Sequence, residues 1–494
     1  MIYGNTTDIK IMNPILSTDA YSALIDGFMF EGLVKADPDT GAPTPWLAEK
    51  WDTSADGLTY TFHLRPGVNW SDGQPFTADD AKFTFETILD PKTQTVRKSL
   101  FDKVQTFTVV DPMTFQVKLK EVYCPFLVSS MSFSLVPKHL LQNSPDINKD
   151  DFNTKHPVGT GPYTFVEWVN GDHVTLQANP HYWGGAPKIG QFIYKVVPNA
   201  TVLAQQLKSG EVDLAVIEAK DLADMQKQPN VNVISNDALA YTYIGYNQAR
   251  PLFQDKLLRQ ALTTAINRQA IVDKILFGQG SVLNAPTPAR SWAYNSAVAK
   301  MYPYDPAKAK ALLAQAGWTA GSDGILTKGG QKLAFTSIFS SNSTAVAQIM
   351  TIAQQEWKAI GVDCTLKPMD FDALLDVINK TRAFDTATLG WSLGLDPDQT
   401  SIWSSDQIKS GFNFISYNNP EIDSLLKQGT SISGCSQDAR KAIYDKFQQI
   451  IADDEPYTFV DSGKTLTVVS KRIQGTHITP FATFANIQNW TISG

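Results

Sequence analysis

Nowhere does the chain run to 18 consecutive apolar residues, so it encodes no helix of the length a bilayer requires. Its first residues, MIYGNTTDIKIMNP, lack the basic start and apolar core of a secretory leader and read as a short strand and turn; a secreted protein without its leader looks the same. Basic charge is in deficit, 42 Lys and Arg against 49 Asp and Glu, for a net charge of −7. A surface of that sign repels phosphate backbones and anionic headgroups, which argues against a nucleic-acid or membrane-surface partner. Cysteine is scarce. Three residues, Cys124, Cys364 and Cys435, exclude complete internal pairing, and no C-x-x-C spacing supports a metal or redox site. Cys364 and Cys435 pair if the fold brings them together; otherwise the thiols serve as small buried apolar groups.

The signatures of catalysis are missing as well. There is no G-x-S-x-G elbow and no H-E-x-x-H, and the six histidines, His63, His139, His156, His173, His181 and His477, are scattered. The glycine-rich HPVGTGPY (156–163) lacks the lysine of a phosphate loop and leads into a strand, so its glycines suit close backbone passage instead. DPDTG at Asp37 and DPDQT at Asp396 are incomplete calcium loops. Adjacent acids such as Asp79-Asp80 and Asp453-Asp454 point about 100° apart on a helix and do not flank one bond. No catalytic residue, metal ligand or cofactor is therefore assigned.

What the chain has is size, apolar content and aromatics. Its 494 residues exceed the roughly 250 to 300 at which single cores stop growing, and 43% hydrophobic residues suffice for more than one core. Eleven Trp, 16 Tyr and 26 Phe supply rings for cores or ligand walls. Leu58, Tyr60, Phe62 and Leu64 alternate as a strand between Asp56-Gly57 and Pro66-Gly67 turns, and Thr77 with Asp80 forms a capping box before a helix. KVQTFTVVDPMTFQVKLK and TGPYTFVEWVNGDHVTLQANP read as hairpins turning at Asp111-Pro112 and Asn170-Gly171. Gly210 ends a helix ahead of another strand. From about 250 to 460, helices alternate with the strands KLAFTSIFS, VDCTLKPM and FDTATLGW, the pattern of a second α/β domain. PYTFVDSGKTLTVVS and FATFANIQNW then read as extended, like the first region. The chain accordingly crosses between domains near 245 and near 462, and two crossings make a hinge with a cleft.

Two groups of residues stand out as site candidates. Tyr21, Phe28, Trp183, Tyr243, Trp292, Trp391 and Trp403 are aromatics fit to line a cleft. Asn247, Gln248 and Arg250 are polar groups beside the first crossing, and Arg250 offers a fork for a carboxylate. In GWSLGLDPD (390–398), Asp396 and Asp398 read equally as an acid pair or as turn caps.

The segments FEGLVKADPDTG, LAEKWDTSADGLTYTFHLRPGVNWSDGQPFTADDAKFTFE, PVGTGPYTFVEW, NPHYWGGAPKI, LKSGEVDLA, YIGYNQARPLFQDKLLRQALTTAINRQAIV, YPYDPAKAKALLAQAGW and GWSLGLDPDQTSIWSS span nearly the whole chain. Together they resemble the family 5 extracellular solute-binding proteins, the peptide, nickel and opine receptors of bacterial ABC importers, and most of all the oligopeptide branch. The resemblance implies an α/β, two-lobed periplasmic-binding-protein fold of type II, with an extra subdomain in the first lobe. Lobe I would comprise 1–30, the extra subdomain 31–156, 157–246 and 463–494, and lobe II 247–462. It implies a non-enzymatic receptor outside the cytoplasm, periplasmic or lipid-anchored, that passes oligopeptides to a membrane permease; a receptor that must open and dock on a transporter is best served by free lobes, so a monomer is expected. Tyr21, Phe28, Asn247, Arg250, Trp292, Trp391, Gly394, Asp396 and Trp403 would touch the solute. Peptide receptors of the family carry an ammonium-binding aspartate three residues after the tryptophan matched by Trp391; here that position is Gly394, and Asp396 lies two residues on. That absence leaves an oligosaccharide, an opine or another non-peptide solute as the alternative ligand, with a hydrolase in the cleft as a remote third.

Overall fold

The chain divides into two units, residues 1–236 with 465–494 and residues 237–464, in a computed structural model that describes residues 1–409 and 411–493. In the first unit, β1 (Ile2–Asn5) is followed by α1 (Ala20–Met29). An antiparallel sheet comes next, formed by β2 (Ala48–Thr53), β3 (Thr59–Leu64), β4 (Val104–Asp111) and β5 (Thr114–Leu119) in the order β2-β3-β5-β4. Helix α2 (Ala78–Leu89) starts on the expected capping box, where Asp80 accepts the Thr77 amide at 2.9 Å. The main sheet adds β6 (Tyr163–Val169), β7 (His173–Ala178), β8 (Gln191–Val196) and, after α3 (Ala200–Ser209), β9 (Leu214–Ile217). Gly210 closes α3 in the left-handed region at φ 79°. Strand β1 lies parallel to β8 and to β9, while β9 pairs antiparallel with residues 466–469 of the returning chain. The two sheets share one core: Phe62 and Phe115 of the four-stranded sheet and Phe85 of α2 belong to the same buried cluster as Tyr3 and Phe192.

The second unit is built on β10 (Ala240–Tyr246), α4 (Lys256–Thr264), α5 (Arg268–Lys274), β11 (Ala334–Ser340), α6 (Thr344–Ala359), β12 (Asp363–Met369), β13 (Thr386–Ser392), α7 (Pro420–Ser431), α8 (Gln437–Asp454) and residues 457–464 of β14 (Tyr457–Ser470). Its sheet runs β12-β11-β13-β10-β14. Leu258, Ala261, Leu262, Ala265 and Ile266 are buried along one face of α4 and the turn after it, and Asn267 then caps α5 by accepting the Ala270 amide at 2.9 Å. Alternation of side chains along β10 and β14 divides the core: Ile244, Tyr246 and Val460 face one cluster with Leu258 and Trp357, and Tyr243, Tyr457 and Phe459 face another with Trp403 and Phe447.

Three expectations are corrected. The first crossing falls at 236/237, ten residues before the expected 246/247, because β10 pairs along its length with β13, from Ala240 with Ser392 to Tyr246 with Thr386. Apolar alternation identifies a strand but not the sheet it joins. The segment FATFANIQNW is not extended: Asn486 turns left-handed at φ 54°, a 3₁₀ turn covers Ile487–Asn489, and the Trp490 indole donates to the Ala485 carbonyl at 3.1 Å. Cys364 is a free thiol buried in β12, so the pairing with Cys435 does not form; burial pushes its pKa up to about 12.

Asp26, on the inner face of α1, is 3% exposed, and its pKa is raised to about 8, chiefly by burial, against the opposing effects of Ser17 and the Arg97 guanidinium. A carboxyl whose pKa is higher folded than unfolded favours the folded state most below the unfolded value near 4, and this contribution is lost as pH rises through about 8. Urea unfolding is therefore expected to show stability falling between pH 5 and 8, by at most about 1.4 kcal/mol per pH unit for this proton. Asp26→Asn should flatten that slope; an unchanged slope would assign it to other groups.

Candidate functional site

Helix α1 begins at Asp19, whose carboxylate accepts the Tyr21 and Ser22 amides at 3.1 and 2.8 Å. This cap sets Tyr21 beside the carboxyl ends of β1 and β9, where open α/β sheets place their ligands. A cavity of about 450 Å³ lies there, bordered by Tyr21, Asn5, Ile217, Glu218 and Asp221. Beneath it a Cβ on Gly4 would stand 2.5 Å from the end of the Leu203 side chain of α3 and 3.0 Å from that of Val212, so any larger residue would displace their packing. A second cavity of about 460 Å³ continues along α1 past Leu24 and Gly27 to Lys35, Trp46 and the 481–488 segment.

Phe28 takes a different position from Tyr21. It is 3% exposed, with its ring 4.3 Å from that of Phe192 and 5.0 Å from that of Phe484, and it reaches the second cavity only as part of its floor. Trp183 is held from both sides: its indole donates to Glu31 at 2.8 Å, and the Arg65 guanidinium lies 4.3 Å over its ring. Glu31 is fully buried, with its pKa raised to about 7 by burial against the donors Trp183 and Tyr182.

In the second unit Trp391, on β13, is half-buried in a ladder of rings. Tyr243 stacks at 6.2 Å and 9°, Phe414 at 5.7 Å and 15°, and the exposed Phe412 is tilted at 5.5 Å. Arg382 braces this wall by donating to the Asn413 carbonyl at 2.9 Å and the Gly411 carbonyl at 3.1 Å while lying over Phe414. Gly394 is exposed, and a Cβ there would meet nothing closer than the Asp396 carbonyl at 3.9 Å, so the loop has room for a side chain it does not carry.

The two acids of the loop are committed internally. Asp396 receives both terminal nitrogens of Arg440, at 2.7 and 2.6 Å, with both side chains more than nine-tenths buried. Asp398 accepts the Thr400 amide at 2.9 Å and hydroxyl at 2.6 Å, and burial raises its pKa. The Arg440 guanidinium also lies 5.3 Å over the ring of Trp292, which is half-buried. Trp403 is 1% exposed, bonded to Gln399 at 3.0 Å and packed on Tyr457, so it is core rather than wall. Asn247 is equally buried and secures the chain after β10 by donating to the Phe384 carbonyl at 2.8 Å. Arg250 is exposed, donating to Phe384 at 3.2 Å with Asp385 3.6 Å away, which leaves part of its fork unused.

Of the expected residues, then, Tyr21 lies at a cavity, and Trp292, Trp391, Gly394 and Arg250 keep accessible surface. Phe28, Trp403, Asn247 and Asp396 serve as supports. Arg440 and Arg382 were not anticipated. Arg440 had a readable signal: it falls on the apolar stripe of α8 with Tyr444, Phe447 and Ile451, where a cation requires a buried partner. Among the described residues no group of three or more His, Cys, Asp or Glu side chains could hold a metal ion.

Comparison with known proteins accords with this arrangement. The model for bacterial extracellular solute-binding proteins, family 5 (middle), matches residues 42–411. The oligopeptide-binding protein AppA of Bacillus subtilis is 33% identical over 100% of this chain and 91% of its own. The structure of that protein in complex with a nonapeptide superposes with a TM-score of 0.86, covering 100% of this chain and 99% of the other. NikZ from Campylobacter jejuni, solved with Ni(L-His), is 30% identical with a TM-score of 0.86 and 99% coverage of both chains. The fold is the type II periplasmic-binding-protein fold with an extra subdomain. The chain belongs to the family 5 bacterial extracellular solute-binding proteins, as an extracytoplasmic substrate receptor of an ABC importer.

Proposed function

We propose that the solute is an oligopeptide, touched by Tyr21 and the exposed face of α1 on the first unit and by Trp391 and Trp292 on the second, with Arg250 as a peripheral polar contact. Phe28, Asn247, Asp396 and Trp403 hold these groups in place, and Gly394 leaves room beside Trp391. The protein acts as a monomer, lipid-anchored or free outside the cytoplasm, and delivers the peptide to its membrane permease. The observation that carries this reading is the Trp391 ladder beside an open Gly394, with Asp396 neutralised by Arg440. Such a surface offers apolar area without a fixed charge, which suits peptides of varied side chains held through their backbones. The nonapeptide complex of AppA, at 33% identity over the whole chain, supports the same class. The open Gly394 also favours a second reading, an uncharged solute such as an oligosaccharide stacked on the rings.

Native mass spectrometry of protein purified from cells, followed by calorimetry with peptide pools and with cello- and xylo-oligosaccharides, separates the two. Peptide masses and peptide heats are expected; sugar heats alone would replace the first reading by the second. Trp391→Ala should weaken peptide binding by about 2 kcal/mol, the scale of a central aromatic contact. Unchanged affinity would remove Trp391 from the contact surface.

A further inference from the structure

The exposed face of α1 carries Ala20, Ala23, Leu24 and Gly27, a helical stripe of small or apolar side chains left open to solvent. This stripe borders both cavities of the first unit, and Leu24 lines each of them, so the two meet at Leu24 along the helix. The outer ends of the pair differ in charge. At the Tyr21 end stand Glu218 and Asp221; Glu218 is paired with Lys220, whereas Asp221 makes no ion pair among the described residues. At the far end Lys35 lies 6.0 Å over the Trp46 ring, again without a carboxylate partner among the described residues.

Resting on the oligopeptide reading, we propose that the two cavities act as one groove that holds an extended peptide in one direction, its ammonium end at Asp221 and its carboxylate end at Lys35. The seven residue steps from Ala20 to Gly27 span about 11 Å, the length of about three residues of extended chain, so the ligand that reaches both charges has about four or five residues. Ala20 and Ala23 have short side chains, and nothing lies within 4 Å of the Cβ position of Gly27, which leaves room on either side of Leu24. Charge of opposite sign at the two ends, with apolar walls between, matches a zwitterionic chain and disfavours the reversed one.

Gly27→Leu tests the groove. It fills open space in a helix that gains from losing a glycine, so thermal unfolding should be unchanged or raised. Calorimetry with an unmodified pentapeptide is expected to show at least a tenfold loss of affinity. Direction is tested by Lys35→Gln and Asp221→Asn against unmodified, C-amidated and N-acetylated forms of the same pentapeptide. Lys35→Gln should weaken the unmodified and N-acetylated peptides about fivefold and leave the amidated one unchanged, while Asp221→Asn should weaken the unmodified and amidated peptides and spare the acetylated one. Full affinity in Gly27→Leu overturns the groove, and equal losses across the three forms, or the opposite pattern, overturn the direction, with the oligopeptide reading intact in both cases. Wild-type protein that binds no peptide overturns that reading and the groove assignment with it.

Discussion

Asp396→Asn is expected to lower the unfolding free energy of the second unit by about 3 to 5 kcal/mol, the cost of leaving one member of a buried ion pair without its counter-charge. The substitution keeps the shape of the side chain but withdraws the charge that faces Arg440, whose terminal nitrogens lie 2.7 and 2.6 Å from the two carboxylate oxygens. Only 6% of the arginine side chain and 8% of the aspartate side chain are exposed, so water cannot take the missing partner's place. Arg440 is bound further, through its Nε to the Gly429 carbonyl at 2.7 Å and by stacking against Trp292, so it is not free to swing outward. Replacing both members, as Asp396→Leu with Arg440→Met, should recover most of the loss, since well-packed apolar pairs commonly match buried ion pairs in stability. Urea unfolding followed by tryptophan emission measures both. A loss below about 1 kcal/mol for Asp396→Asn would place the pair among surface contacts. Trp292 makes this result bear on function, because its ring rests on the guanidinium and loses its backing when that group moves.

Much of the fold was legible because local chemistry and final structure agree. The capping box at Thr77, the turns at Asp111-Pro112 and Asn170-Gly171, and the helix end at Gly210 each depend on residues a few positions apart, and each stands where expected. The main errors concern relations that local pattern does not encode. Residues 240–246 have the alternation of a strand in either unit, and pairing with β13, some 140 positions further on, decides which one they join. The 481–490 segment has strand-like composition, yet Asn486 turns left-handed and folds it into a wall of the second cavity.

Site residues divide along the same line. An aromatic in the sequence announces area but not which way it faces, so Trp391 and Trp403 looked equivalent, whereas one is half-buried on a strand and the other is sealed in the core. The aspartates of GWSLGLDPD were readable as turn caps, and both are, Asp396 accepting the Asp398 amide at 3.0 Å and Asp398 the Thr400 amide and hydroxyl; the second bond of Asp396, to an arginine 44 positions away, was not legible in the loop. Charge on an otherwise apolar helical stripe was the available clue to that partner, and Arg382, bonded to carbonyls of a loop, left no comparable trace.

Gly159→Ala should cost about 3 kcal/mol or more, at or beyond the upper end for added atoms in a packed interior. A Cβ at this position would stand 1.8 Å from the Met29 carbonyl oxygen and 2.6 Å from its carbon, and both are backbone atoms that cannot rotate aside. Gly161 is similarly tight, 2.5 Å from the Phe28 carbonyl oxygen, and its amide donates to Met29 at 2.8 Å. The HPVGTGPY segment is thereby pressed against the end of α1, which accounts for its glycines without any phosphate. Relief requires α1 to shift at its Met29 end, and the same helix borders the groove and carries Tyr21, so peptide affinity should fall in the folded fraction along with stability. Gly190→Ala is the matching control, because its Cβ would meet nothing within 4 Å, and it should stay within about 0.5 kcal/mol of the parent. Equal urea midpoints for the two variants would show that the backbone at Met29 yields freely and that α1 is not pinned by this contact.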